Sequence, residues 1–190
     1  MIYTNDYELL KFVLENTKDF HIYLQNLYIE DSNTKQSYFE RVLSTNPELV
    51  SVLVNSGAFP LSFRLNSSFN VAQRILVSDV YNSLRKYNQD EVREALTKVS
   101  LGMNFALKMY FEASKENYDE EFVKYLVDLE RTSLIRKDYN GKDIFAYCQK
   151  NSFIRKETVD FLTRMKVLFV IEVKKNSSYL IRTFKLKSIN

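Results

Sequence analysis

The chain has 190 residues, 45% hydrophobic and 27% charged, a composition that suits one domain or two small ones with a buried core and excludes a disordered chain. Three isolated glycines (Gly57, Gly102, Gly141) exclude a Walker loop or a dinucleotide-binding turn, and a single cysteine and a single histidine exclude an intrachain disulfide, a Cys/His zinc site or a histidine dyad. The net charge of +3 hides a division: residues 1–130 hold 13 Lys/Arg against 19 Asp/Glu, whereas residues 131–190 hold 14 against 5. A basic third on an acidic two-thirds is the pattern of a chain with one part built to meet a polyanion.

In chain order, Tyr7, Leu10, Val13 and Leu14 recur at helical spacing after a start signal at Thr4–Asp6, and Phe20, Leu24 and Leu27 continue the pattern. A second helix from Ser37 carries Tyr38, Phe39, Val42 and Leu43. Asn46-Pro47-Glu48 reads as the start of a third, which runs through Leu49, Val52 and Leu53 and stops at Gly57. Ala58 to Ser68 reads as extended or irregular chain. Val71 to Tyr87 predicts a helix, and Asn88–Glu91 caps another that could reach Ala113, with Gly102 as its weak point. Phe105, Tyr110 and Phe111 are core positions, and His21, alone among apolar neighbours, is a half-buried structural residue.

From Tyr118 the pattern changes. Asp119-Glu120-Glu121 opens a helix with Phe122, Tyr125, Leu126 and Leu129, and Leu134 to Lys137 reads as a short strand closed by an Asn140–Gly141 turn. Asp143 to Lys150 is a short helix, Asn151 to Ile154 a break, and Arg155 to Leu168 a helix that buries Val159, Phe161, Leu162 and Met165. Val170–Lys175 and Tyr179–Lys187 then alternate as two strands joined by Asn176-Ser177-Ser178. The apolar run Val167–Ile171 stops at Glu172, too short to span a membrane, and the first residues are acidic rather than basic, unlike a secretory signal. The expectation is a protein of the cytoplasm or, in a eukaryote, the nucleus.

The order of helix, short strand, helix, break, helix and hairpin, together with Arg155, Thr158, Val159 and Leu162 after the break, resembles the winged helix-turn-helix superfamily over about the last 70 residues. The turn lacks the glycine often seen there. The resemblance implies a mainly α fold, with a helical domain over 1–117 and a winged helix-turn-helix over 118–190, in which 144–150 is the scaffold helix and 156–166 the recognition helix. Double-stranded DNA is then the expected partner.

Helical geometry points the same way, because Lys156, Asp160, Thr163 and Arg164 share one arc opposite Phe161, Leu162 and Met165. Arg155, Lys156, Asp160, Thr163 and Arg164 would face the major groove, with Lys174, Lys175 and Arg182 of the hairpin over phosphates. The function expected is that of a transcriptional regulator or a replication or partition factor, not an enzyme, paired as a homodimer through the acidic helical block. No cofactor or metal is expected.

Two other readings stand beside it. A winged helix can be a docking scaffold in a multi-protein assembly, which has no need of so many cations on one face. Glu172-x-Lys174 on an apolar strand also resembles the metal-binding half of Mg-dependent nucleases, but the upstream aspartate candidates (Asp138, Asp143, Asp160) lie badly for it.

Overall fold

The computed structural model describes residues 7–31, 34–66, 69–97, 106–138 and 140–187, with the side chains of the last helix described through Asn176. These residues form a mainly α protein, and no helix among them is long and apolar enough to cross a membrane.

Where the sequence predicts one opening helical run there are two helices, α1 (Tyr7–Asn16) and α2 (Lys18–Asn26), which break at Thr17. The break strands carbonyls in the last turn of α1, and His21 Nε2 donates to the Leu14 carbonyl at 2.7 Å. A hairpin of two four-residue strands follows, β1 (Tyr28–Asp31) and β2 (Thr34–Ser37), antiparallel with Tyr28 opposite Ser37 and Asp31 opposite Thr34. Ser37 ends β2 and opens α3 (Tyr38–Thr45): its hydroxyl accepts from the Glu40 N–H, and its own N–H donates to the Glu40 carboxylate at 3.1 Å.

Asn46-Pro47 starts a 3-10 turn rather than an α-helix, and α4 (Val50–Asn55) begins after it. The stop at Gly57 is as expected. Its φ of +79° and its N–H bond to the Val54 carbonyl close the helix.

The helix expected over 71–87 ends early. Helix α5 (Val71–Leu76) stops there, with the Ser78 N–H and hydroxyl both donating to the Ile75 carbonyl, at 3.0 and 2.7 Å, and a 3-10 segment over Tyr81–Lys86 replaces the remainder. The buried Asn70 caps α5 and donates to the Ala95 carbonyl at 2.7 Å, which ties α5 to α6 (Gln89–Thr97). The weak point at Gly102 and the Phe105 position lie outside the described residues, and α7 (Ala106–Ser114) follows them.

Asp119 caps α8 (Glu120–Leu129), as its three acidic residues predict. Phe122 of α8 stacks with Tyr81 and Tyr110 at centroid separations of 4.6 and 4.9 Å. The buried cluster runs without interruption from Leu14 to Leu162, so residues on both sides of 117/118 share it.

Two expectations are corrected. Leu134 to Lys137 is no strand: a 3-10 turn occupies Arg131–Leu134 and irregular chain leads to the Asp138–Lys142 turn, where Gly141 sits at φ +72°. The wing hairpin over 170–187 is also absent. After α9 (Ile144–Lys150) and a five-residue connection, α10 runs unbroken from Lys156 to Lys187. The alternation of Val170, Glu172 and Lys174 imitates a strand, but neither Gly nor Pro interrupts the chain beyond Arg155. Extending a helix already nucleated adds one hydrogen bond per residue fixed, and Asn176-Ser177-Ser178 lacks the glycine that a tight hairpin favours.

The start of α10 is held by Tyr118. The Arg155 N–H donates to the Tyr118 hydroxyl at 2.9 Å, and that hydroxyl lies 2.9 Å from the buried Thr158 Oγ1. Tyr118→Phe leaves both partners unmet, and urea denaturation is expected to show a loss of about 1–3 kcal/mol.

Candidate nucleic-acid interface

Helix α10 carries eight Lys/Arg against three Asp/Glu, and its phase decides where they point. At 100° per residue Lys156, Asp160, Thr163, Arg164, Val167, Ile171, Lys174 and Lys175 fall within an arc of about 120°. All eight are exposed, whereas Thr158 and Leu162 on the opposite side are buried, and Phe161, Met165, Phe169 and Val170 are partly covered. The unbroken helix therefore puts Lys174 and Lys175, expected on a hairpin, in line with Lys156 and Arg164. The side chain of Arg182, the third hairpin cation expected over phosphates, lies outside the described residues. From 156 to 175 the ridge is about 28 Å long.

The expected contact residues differ in their freedom. Arg155 is committed to the protein: its guanidinium lies 4.6 Å from the Tyr118 ring centre, donates to the Tyr118 carbonyl at 3.1 Å and pairs with Glu120 at 2.8 Å. These contacts brace the start of the helix, although the side chain stays 48% exposed. Thr163 is exposed, and its hydroxyl donates to the Val159 carbonyl at 2.8 Å. Lys156, Asp160 and Arg164 stand exposed on the first half of the arc.

Glu172 and Lys174 are two residues apart on a helix and so point to nearly opposite sides. Glu172 pairs with Arg131 at 3.3 Å. The nuclease reading needs both on one face of a strand, and the helix removes that arrangement; no group of three or more potential metal ligands occurs among the described residues.

The connection before α10 is framed by charge as well. Asp143 caps α9 by accepting from the Ala146 N–H at 3.0 Å, and it meets Lys166 of α10 at 3.3 Å. Lys166 in turn lies 4.5 Å from the Phe145 ring centre. Partial burial raises the Asp143 carboxyl, but the backbone N–H groups and Lys166 outweigh it and hold the group below the usual carboxylate range.

Lys142 and Lys150 are a pair that the sequence does not single out. The Lys142 ammonium pulls Lys150 below the usual lysine range, the mark of two like charges brought close together. Sequence reading also misses Val167 and Ile171 as one surface strip, because it puts Val167 on the helix over 155–168 and Ile171 on a wing strand.

Two other features lie away from this face. Cys148 is buried on α9, and burial pushes its thiol up to about 11, which makes it a poor nucleophile. A cavity of about 440 Å³ opens between α1, α2 and α4, lined by Lys11, Leu14, Glu15, Lys18, His21, Val52, Asn55 and Ser56. Its charges are mixed, and His21 is held there by its bond to Leu14.

Because the Asp143 carboxyl is lowered on folding, its contribution is present above the unfolded value near 3.8 and is lost as pH falls through the folded one. Asp143→Asn keeps a capping side chain but loses the charge. It is expected to cost about 0.5–1 kcal/mol at pH 7. Thermal unfolding followed from pH 7 to pH 2 should show the gap between variant and parent closing only in strong acid.

Comparison with protein-family models, with curated proteins and with solved structures finds no match for this chain.

Proposed function

We propose that the protein binds double-stranded DNA in a sequence-dependent way, as a transcriptional regulator or a replication or partition factor. In this reading α10 lies with its outward arc along a major groove, which at about 12 Å is wide enough to admit a helix. The observation that carries the reading is the alignment of Lys156, Arg164, Lys174 and Lys175 on one exposed face, which in the first half of the helix lies opposite the buried Thr158 and Leu162. The phosphate contacts first expected of a wing pass to the second half of the same helix.

Arg155 takes the role of anchor.

Pairing through the N-terminal block belongs to the same proposal. Phe12, Ile22 and Tyr23 of α1 and α2 are 64%, 61% and 51% exposed, a spread of apolar surface that a second copy would cover. Two copies would then present two α10 ridges to two half-sites. The scaffold reading uses the same apolar surface, but it leaves the cations of α10 without a task.

Binding to a duplex should weaken steeply with salt, with a logarithmic slope of about −0.9 per phosphate neutralised, or roughly −3 to −5 per monomer. Lys174→Ala with Lys175→Ala should lower affinity for all sequences alike and flatten that slope by about one to two units. Arg164→Ala should also reduce sequence preference, by about 1–3 kcal/mol if it reads a guanine. Equal, weak binding at low salt by the parent and the double alanine variant would overturn the proposal.

A further inference from the structure

The centre of the outward arc of α10 is not basic. Thr163, Val167 and Ile171 follow one another at four-residue spacing, and the cations lie beside and beyond them: Lys156 before, Arg164 along one edge, Lys174 and Lys175 after. Val167 is 53% exposed and Ile171 45%; Leu168 and Val173, at 58% and 44%, are exposed as well but lie off the arc. Thr163 adds a third apolar group, because its hydroxyl is spent on the Val159 carbonyl. The three positions make a strip of methyl groups about 12 Å long, which spans about three to four base pairs.

A second copy of this chain is a poor occupant for such a strip. Two copies placed face to face would bring Lys156, Arg164, Lys174 and Lys175 against their own counterparts. The flanking cations require an occupant that is anionic at its edges and apolar at its centre. A major groove rich in A·T pairs has that pattern, with phosphates on both rims and the thymine methyl standing on its floor.

We infer that Thr163, Val167 and Ile171 read thymine methyl groups, so that the favoured ligand is A·T-rich duplex DNA. The inference rests on the proposed binding of duplex DNA by α10 and adds which chemical group is recognised. In this arrangement the cations supply affinity for any duplex and the apolar strip supplies preference. Cytosine lacks a methyl at the corresponding carbon, and uracil differs from thymine by that methyl alone. Replacing thymine by uracil therefore removes the proposed contact without touching a phosphate or a Watson–Crick hydrogen bond.

Fluorescence anisotropy of the full chain with an alternating A·T duplex, and with the same duplex carrying deoxyuridine for every thymidine, tests this. Each buried methyl is worth about fourfold in affinity, so the uracil duplex should bind about 15- to 60-fold more weakly if two or three methyls are lost. Val167→Ala with Ile171→Ala should bind both duplexes at nearly the lower affinity and keep the salt slope of the parent. Both side chains lie outside the core and alanine favours a helix, so melting should be unchanged.

Equal binding of the two duplexes by the parent overturns the inference and leaves DNA binding intact. Failure to bind either duplex at low salt overturns both. Equal binding of the duplexes together with tight capture by phosphatidylserine vesicles would assign the strip to a lipid surface instead, and also overturns it.

Discussion

The hydroxyl of Tyr118 fixes the rotation of α10, and everything said of its outward face depends on that rotation. Arg155 has no side-chain oxygen with which to cap the helix that begins after it. The Tyr118 hydroxyl accepts its backbone N–H instead and reaches Thr158 one turn further on. The Arg155 guanidinium closes the clamp over the Tyr118 ring and onto Glu120. With Thr158 and Leu162 drawn inward, the 3.6-residue repeat sends Lys156, Thr163, Val167, Ile171 and Lys174 outward. The second half of the helix inherits its phase from this one joint, supported further along by the Lys166–Asp143 and Glu172–Arg131 pairs.

Both partly exposed pairs are weak beside the buried hydroxyl contact, since surface ion pairs are worth at most about 1 kcal/mol. The joint also connects the acidic and basic parts of the chain. Tyr118 lies at the end of the α7–α8 connection and packs edge-on against Phe111 at 5.1 Å, while the Tyr110 hydroxyl accepts from the Asp119 N–H at 2.8 Å. A change in the packing of α7 thus reaches the start of α10 through two adjacent residues. The aromatic core of the N-terminal block and the orientation of the basic helix are parts of one packed unit.

Much of this is legible in the amino-acid order, and the failures have physical causes. Asp119, Asp143 and the break before Arg155 are local signals, and the helices they open start where they predict. The β1–β2 hairpin is missed because strands of four residues leave too little alternation to notice. The helix expected over 71–87 ends at Leu76, where Ser78 turns its N–H and hydroxyl back onto the Ile75 carbonyl. Residues 170–187 are rich in β-branched side chains and alternate like a strand, yet α10 already exists upstream and extends through them. Of the site, the cations are readable from charge and spacing. The commitment of Arg155 to Tyr118 is not readable, because it joins residues 37 apart. The outward placement of Val167 and Ile171 needs the phase of the whole helix.

The central claim is that one straight helix carries the basic ridge from Lys156 to Lys175. Pulsed electron spin resonance between nitroxide labels at positions 156 and 182 measures it directly, with Cys148 replaced by alanine so that only those two sites react. A continuous helix predicts a backbone separation of about 39 Å, broadened only by the label linkers. A distance of about 25 Å or less would mean that the chain turns back as a hairpin, and the aligned ridge would not exist.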